Sequence, residues 1–142
     1  MINTQIVEKL KQVIGENSIL SISYPRERRI FITISNNCLK DTIEFLKQND
    51  FSYLSAITGS QTDDNLIELL YHLDNSGTLI TIRIILPQNE ASIPTITDLI
   101  IGASLYEREI HDLFGVKFEG HPELNKLILP DEWQNNSFPL KT

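Results

Sequence analysis

Residues 66–86 constrain the fold more than any other part of the chain. Leu66-Ile67-Glu68-Leu69-Leu70-Tyr71-His72-Leu73 and Thr78-Leu79-Ile80-Thr81-Ile82-Arg83-Ile84-Ile85-Leu86 are rich in β-branched and apolar residues. Asp74-Asn75-Ser76-Gly77 separates them with residues that tolerate the positive φ of a tight hairpin turn. Ser52 to Thr58 is a third run of the same kind, joined to the second by Gly59-Ser60-Gln61-Thr62-Asp63-Asp64-Asn65. The pattern predicts an antiparallel three-strand meander. Leu79 through Leu86 is almost unbroken in β-branched and apolar residues, so that strand is expected at the centre of the sheet.

Upstream, Ile6, Val7, Leu10, Val13 and Ile14 recur at helical spacing between about Thr4 and Gly15. Two further β-rich runs, Ile19 to Tyr24 and Arg29 to Ser35, flank Pro25-Arg26-Glu27-Arg28 and read as a hairpin, one of whose strands can be buried on both faces. Asn36 and Asn37 are candidate caps for a second helix over about Leu39–Gln48, with Leu39, Ile43 and Leu46 as its stripe and Asn49-Asp50 as its end. Downstream of the meander, 87–94 reads as a linker crossing the surface. Thr95 or Thr97 is expected to open a helical region that Gly102 breaks before a charged helix over Ser104 to Phe114. Beyond Gly115 the chain is rich in Pro and Asn, with little periodicity. Together these elements predict an α+β two-layer sandwich. Its mixed or antiparallel sheet has about five strands with helices packed on it, and an irregular C-terminal tail follows. The expected organisation is a single domain over 1–142, with 115–142 as an extended tail that contacts partners.

At 142 residues the chain is long enough to bury roughly two-thirds of its unfolded surface in one core. A formal charge of −7 argues against nucleic acid and anionic lipid as main partners, because a phosphate surface calls for a basic face. The one basic cluster, Arg26, Arg28 and Arg29, is broken by Glu27 and reads as a solvated hairpin tip. A lone cysteine, Cys38, excludes an internal disulfide and fits a reducing compartment; as a side chain it reads as a small buried or capping residue. Met1-Ile2-Asn3-Thr4 lacks the basic and apolar regions of a signal peptide, and no apolar run approaches the length of a membrane span. The expectation is a protein that is soluble or, at most, peripheral to a membrane.

The densest chemistry lies in Tyr106-Glu107-Arg108-Glu109-Ile110-His111-Asp112-Leu113-Phe114-Gly115 and in Gly120-His121-Pro122. On a helix, Ala103, Tyr106, Ile110 and Leu113 share one face, which is expected to meet the sheet. Glu107 with His111, and Arg108 with Asp112, are four apart and are expected to pair on the outer surface. Glu109, at the margin of the stripe, is the carboxylate expected to be partly buried. Exposed pairs contribute only about 0.3–0.5 kcal/mol each, so the cluster makes more sense as complementarity for another protein than as a folding device. Gly115 occupies the position where a helix ends on a left-handed residue. Pro122 steers His121 into an extended or turn conformation near that helix end.

Other readings of the same residues compete. Glu107, His111 and His121 could ligate a divalent metal in a small hydrolase, and His111 with Asp112 or Glu109 could serve acid–base catalysis. No nucleophile, oxyanion element or phosphate-binding glycine loop accompanies them. A solitary acidic binding domain is a third reading. His72, inside a strand, reads as structural. Trp133 with Phe138 fits an anchor that holds the tail down or a contact for a partner, and both readings stay open.

Glu107-Arg108-Glu109-Ile110-His111-Asp112-Leu113-Phe114-Gly115-Val116, followed by Phe118-Glu119-Gly120-His121-Pro122-Glu123-Leu124, resembles the signature of the thirty-kilodalton subunit family. That family contributes to respiratory complex I (NADH:quinone oxidoreductase) and to related energy-converting membrane-bound NiFe hydrogenases. Leu127-Ile128-Leu129-Pro130-Asp131-Glu132-Trp133 and Pro139-Leu140-Lys141 also match its pattern. Looser similarity runs upstream through Leu54-Ser55-Ala56-Ile57-Thr58-Gly59 and Leu69-Leu70-Tyr71-His72-Leu73 to Ile93-Pro94-Thr95-Ile96-Thr97. Two departures stand out. Asn125-Lys126 replaces the Arg-Arg frequent in the family, and Pro139-Leu140-Lys141-Thr142 stands where Pro-Leu-Arg-Lys-Asp is common. Complex I members usually continue into a long wrapping tail, so the expectation leans toward the hydrogenase branch.

The resemblance implies a non-catalytic assembly subunit with no cofactor of its own. It would dock on the large subunit that carries the quinone site or the NiFe centre, near the small iron–sulfur subunit, in a peripheral arm on the cytoplasmic, inner face of the cell membrane. Membrane association would come only through the complex. Carried over by position, Glu107, Arg108, Glu109, Asp112, Gly115, Gly120, His121 and Pro122 shape the contact region. His111, Phe114 and Trp133 complete the expected interface. Arg108→Ala is expected on this reading to weaken assembly more than folding.

Overall fold

The computed structural model describes residues 2–62 and 64–122. Helix α1 (Ile2–Ile14) leads into a hairpin of β1 (Ile19–Arg26) and β2 (Arg29–Ile34), and α2 (Leu39–Gln48) follows. The meander is β3 (Tyr53–Gln61), β4 (Leu66–Asn75) and β5 (Thr78–Pro87). The chain then forms β6 (Ser92–Pro94), α3 (Ala103–Phe114) and β7 (Lys117–Glu119). The five long strands make one sheet in the order β1-β2-β5-β4-β3, and β6 and β7 pair separately in parallel.

This is the expected α+β sandwich, with a mixed sheet. The meander and the hairpin pair antiparallel, and β2 pairs parallel to β5. That parallel pairing seats β5 in the middle, as its apolar run requires. Ile80, Ile82, Ile84 and Leu86 are at most 1% exposed. The turn between β4 and β5 has Ser76 at φ 50° and Gly77 at φ 94°, the left-handed geometry that Asn-Ser-Gly sequences tolerate.

Opposed residues on neighbouring strands share a face, and so the two faces of the sheet separate cleanly. Ile57, Gly59, Leu69, Tyr71, Ile82, Ile84, Ile32 and Ile30 lie together on the face that the helices cover. There α3 packs on the β3 side, and α1 and α2 cover the rest. Lys40 and Lys47 of α2 tie to Asp98 and to the carbonyl of Leu99, just before α3. The opposite face carries Glu68, Leu70, His72, Leu79, Arg83 and Ile85, all half-buried. His72 is structural there, with its ring nitrogens 3.2 Å from the Thr58 hydroxyl and 3.1 Å from that of Thr81.

Gly59 sets how closely α3 approaches. A Cβ there would lie 3.0 Å from both Ile110 Cδ1 and Phe114 Cε2. Gly59→Ala is therefore expected to overpack this contact and lower stability by about 1–3 kcal/mol, read as a lower urea midpoint with an unchanged slope. An unchanged midpoint would show that Ile110 and Phe114 move aside freely.

Three local expectations need correction. The stretch 87–94 is more than a surface linker, because β6 lies in it and buries Ile93 to 1% against the β7 pairing. No continuous helix opens at Thr95 or Thr97. The Thr95 hydroxyl accepts from the backbone N–H of Thr97, which favours a turn, and successive turns lead to Ala103. Asn36 and Asn37 do not cap α2. They form a 3-10 turn that leaves buried Cys38 at the cap position, without a side-chain capping bond.

Candidate functional site: the α3 helix and its return loop

Helix α3 is shut in on almost every side. Ala103, Glu107, Arg108, Ile110, Asp112 and Phe114 are buried, and Ser104, Tyr106, His111 and Leu113 are half-buried. Within the helix only Leu105 and Glu109 are exposed, and Ile101 continues their line just before it. The buried apolar stripe is thus Ala103, Ile110 and Phe114, and Tyr106 and Leu113 flank it instead of centring it. Tyr106 anchors the flank by donating its hydroxyl to the carbonyl of Ser55 at 2.9 Å.

The charged residues depart from the sequence expectation. Glu107 and Asp112 are 0% exposed and Arg108 is 7%, whereas Glu109 is on the surface. The physical reason is the return of the chain. Gly115, at φ 76°, ends the helix in the left-handed cap expected of it and donates its N–H to the carbonyl of His111. The strand β7 then pairs with β6, and the following loop comes back along α3. His111 donates Nδ1–H to the carbonyl of Val116 at 2.8 Å.

Glu107 instead joins three segments. Thr95 donates its hydroxyl to Oε1 at 2.5 Å, and the backbone N–H of Ile96 donates to Oε2 at 2.8 Å. His121, from the loop after β7, brings Nε2 to 4.0 Å from Oε1 while donating to the carbonyl of Ser104 at 3.0 Å. Gly120 backs onto Thr95, and the Thr95 N–H donates to Glu119. Burial raises the Glu107 carboxyl above its usual range, and the bonds from Thr95 and Ile96 and the nearby His121 offset part of that. A carboxylate that is buried and doubly hydrogen-bonded is a structural clamp: it holds the 95–96 turn, α3 and the His121 loop in one arrangement.

Tyr71 of β4 lies beside this clamp. It is fully buried, and its hydroxyl has no hydrogen-bond partner among the described residues. Burial first, and the charge of Glu107 second, push its ionisation well above the ordinary tyrosine value. An unpaired buried hydroxyl costs about 1–3 kcal/mol. Tyr71→Phe is accordingly expected to raise the melting temperature, and a lower one would reveal a bridging partner for the hydroxyl.

Of the residues expected at the interface, Glu109 and Pro122 are exposed; Gly120 is exposed at the turn; His111, Gly115 and His121 are half-buried; and Phe114 is in the core. Trp133 and Phe138 lie outside the described residues. The three candidate metal ligands do not gather into one site: Glu107 and His121 approach to 4.0 Å, and His111 is held separately on the carbonyl of Val116. Among the described residues no three His, Cys, Asp or Glu side chains gather as a metal site. Sequence reasoning missed Thr95 and Ile96 as partners of Glu107 and Tyr71 as its buried neighbour. No local spacing marks them, since the turn and the helix are joined only by the fold.

The chain is similar to subunits of known respiratory complexes. The NADH-quinone oxidoreductase subunit 5 from Thermus thermophilus is 28% identical over 120 residues, covering 75% of this chain and 58% of that protein. The C/D subunit from Acinetobacter baylyi is 30% identical over 144 residues, covering 92% of this chain and 24% of that protein. The chain thus spans little more than half of the first relative and about a quarter of the second. Among solved structures, a chain of an archaeal respiratory membrane complex, the membrane-bound sulfane sulfur reductase, superposes with a TM-score of 0.80 at 28% identity. That match covers 93% of this chain and 79% of the other. The sequence pattern of the respiratory-chain NADH dehydrogenase 30 kDa subunit matches residues 32–142, and this chain belongs to that family.

Proposed function

We propose that the chain is a non-catalytic assembly subunit of a membrane-associated, ion-translocating redox complex, docked on the large catalytic subunit beside the small iron–sulfur subunit. The observation that carries this reading is the form of α3: a helix buried around its circumference except for one ridge, Ile101, Leu105 and Glu109, with two large apolar side chains in water. A single exposed leucine is ordinary; Ile101 at 86% and Leu105 at 72% on one line beside a rigid clamp suit a protein contact. The Glu107 clamp would fix the shape of that ridge before docking, which lowers the ordering cost of association.

The relatives support this reading. One is named as a C/D subunit, which points to the large subunit as neighbour, and the archaeal structure is of a respiratory membrane complex. The redox chemistry would belong to the partners, and this subunit would hold no cofactor. Among the described residues no helix is long and apolar enough to cross a membrane, which accords with attachment through the complex, in a peripheral arm on the cytoplasmic face. The segment 115–142, with Trp133, would extend the contact. Both the quinone-reducing and the hydrogenase-like branches fit this role.

The test is a mild-detergent pull-down of the tagged chain from native membranes, with mass spectrometry of the proteins that follow it. Recovery of a large subunit and an iron–sulfur subunit supports the assembly role and identifies the branch. Recovery of the chain alone would favour the solitary binding domain.

A further inference from the structure

Among the described residues, the helices cover one face of the sheet and leave the other without a covering element. At the hairpin end of the open face, Pro25, Arg26, Arg29, Phe31, Leu79 and Thr81 line a concavity of about 260 Å3. Arg29 donates from Nη1 to the carbonyls of Arg28 and Gly77, both at 2.8 Å. Those bonds orient its guanidinium and leave further N–H donors for another group. Neither Arg26 nor Arg28 has an ion pair with a carboxylate among the described residues. Three positive charges therefore stand at this tip against Glu27 and Asp74, the latter opposite Leu79 across the sheet, on a chain whose formal charge is −7.

We infer that this cleft docks a carboxylate-bearing segment of another protein, whose Asp or Glu side chains pair with Arg26 and Arg29 over the apolar floor of Phe31 and Leu79. Guanidinium groups match carboxylates in a planar, two-point geometry, and the apolar floor thins the water around the pair. The cleft is smaller than the roughly 300–1,000 Å3 of small-molecule pockets, yet it has room for one or two side chains. An anionic lipid surface is the weaker fit. Electrostatic membrane binding draws on clusters of about four to eight basic residues, and here three are opposed by Glu27 and by the acidity of the remaining chain. The cleft lies on the face of the sheet opposite α3, so this contact is separate from the Leu105 ridge.

The test places a photo-crosslinking benzoylphenylalanine at Phe31 in the full chain and irradiates native membranes, with a parallel sample carrying the probe at Leu105. The expected product joins position 31 to a segment of another chain with Asp or Glu within a few residues of the crosslink. Arg26 is exposed and makes no ion pair among the described residues, so Arg26→Glu is expected to leave the melting temperature unchanged. It is expected to lower that yield about tenfold, whereas Arg26→Lys retains most of it. Crosslinking from Leu105 should be unchanged by either substitution, which separates failure of this inference from failure of the assembly role. Crosslinks to lipid, to residues 123–142 of the same chain or to a segment without carboxylates would overturn the inference. So would no crosslink, or a yield indifferent to Arg26→Glu.

Discussion

Glu107→Ala is expected to destabilise the fold by about 2–4 kcal/mol, because it strands the buried Ile96 N–H at about 1–3 kcal/mol, takes one partner from the Thr95 hydroxyl and leaves a void between them. The Ile96 N–H has no other acceptor among the described residues, whereas the Thr95 hydroxyl can turn to Thr97 Oγ1 at 2.9 Å. Unfolding in urea would read the loss directly. The pH dependence adds a sharper signature. Burial raises the folded carboxyl above its unfolded value of about 4.5, so the folded state holds the proton more tightly. This group's contribution is therefore fully present below about pH 4.5 and is lost as pH rises through the folded value. Glu107→Gln removes the titration while keeping the shape, at the cost of turning one acceptor into an amide that faces a donor. The difference in stability between wild type and Glu107→Gln is expected to shift in favour of the variant as pH rises from 4.5 toward neutrality. A pH-independent difference would mean that Glu107 stays ionised throughout and that its hydrogen bonds outweigh its burial.

Leu105→Arg addresses assembly instead of folding. With 72% of its surface in water, Leu105 contributes little to the core, and the change is expected to move stability by less than about 0.5 kcal/mol. At the centre of an apolar contact the same change buries a charge without a partner. Hot-spot losses of about 2 kcal/mol or more correspond to at least roughly 30-fold weaker association. Recovery of the large subunit in the pull-down should fall accordingly while the melting temperature holds. Unchanged recovery would remove the ridge from the interface. Arg108 no longer serves this purpose. At 7% exposure its loss is expected to disturb folding as well as assembly, so Arg108→Ala cannot separate the two.

The difference between Leu105 and Arg108 shows where sequence reading reaches its limit. Treating charge as surface and apolar residues as core placed the helix on Tyr106 and Leu113. The helix in fact turns so that Glu107 and Phe114 enter the interior with Ala103 and Ile110. The shift is about one residue around the helix, and no local pattern could reveal it. Its cause is a pair of donors at Thr95 and Ile96 that the chain supplies from another segment. The same blindness hid β6 and β7. Each is three residues long, too short for its alternation to stand out in the sequence, and the pairing becomes favourable only when Ile93 and Phe118 are buried together.

What the sequence determined by itself is what local chemistry can encode. It set the strands of the meander through alternation and turn residues, the central place of β5 through its nearly unbroken run of β-branched and apolar residues, the end of α3 through Gly115, and the family through the motif from Glu107 to Leu124. Tertiary structure alone decided that β2 joins β5 in parallel, that all three helices crowd one face, and that Glu107 is a clamp while Leu105 is left in water. Those outcomes depend on partners distant in sequence. A buried carboxylate is tolerable only where the assembled fold brings donors to it, and an exposed leucine is informative only once every other side of its helix is covered.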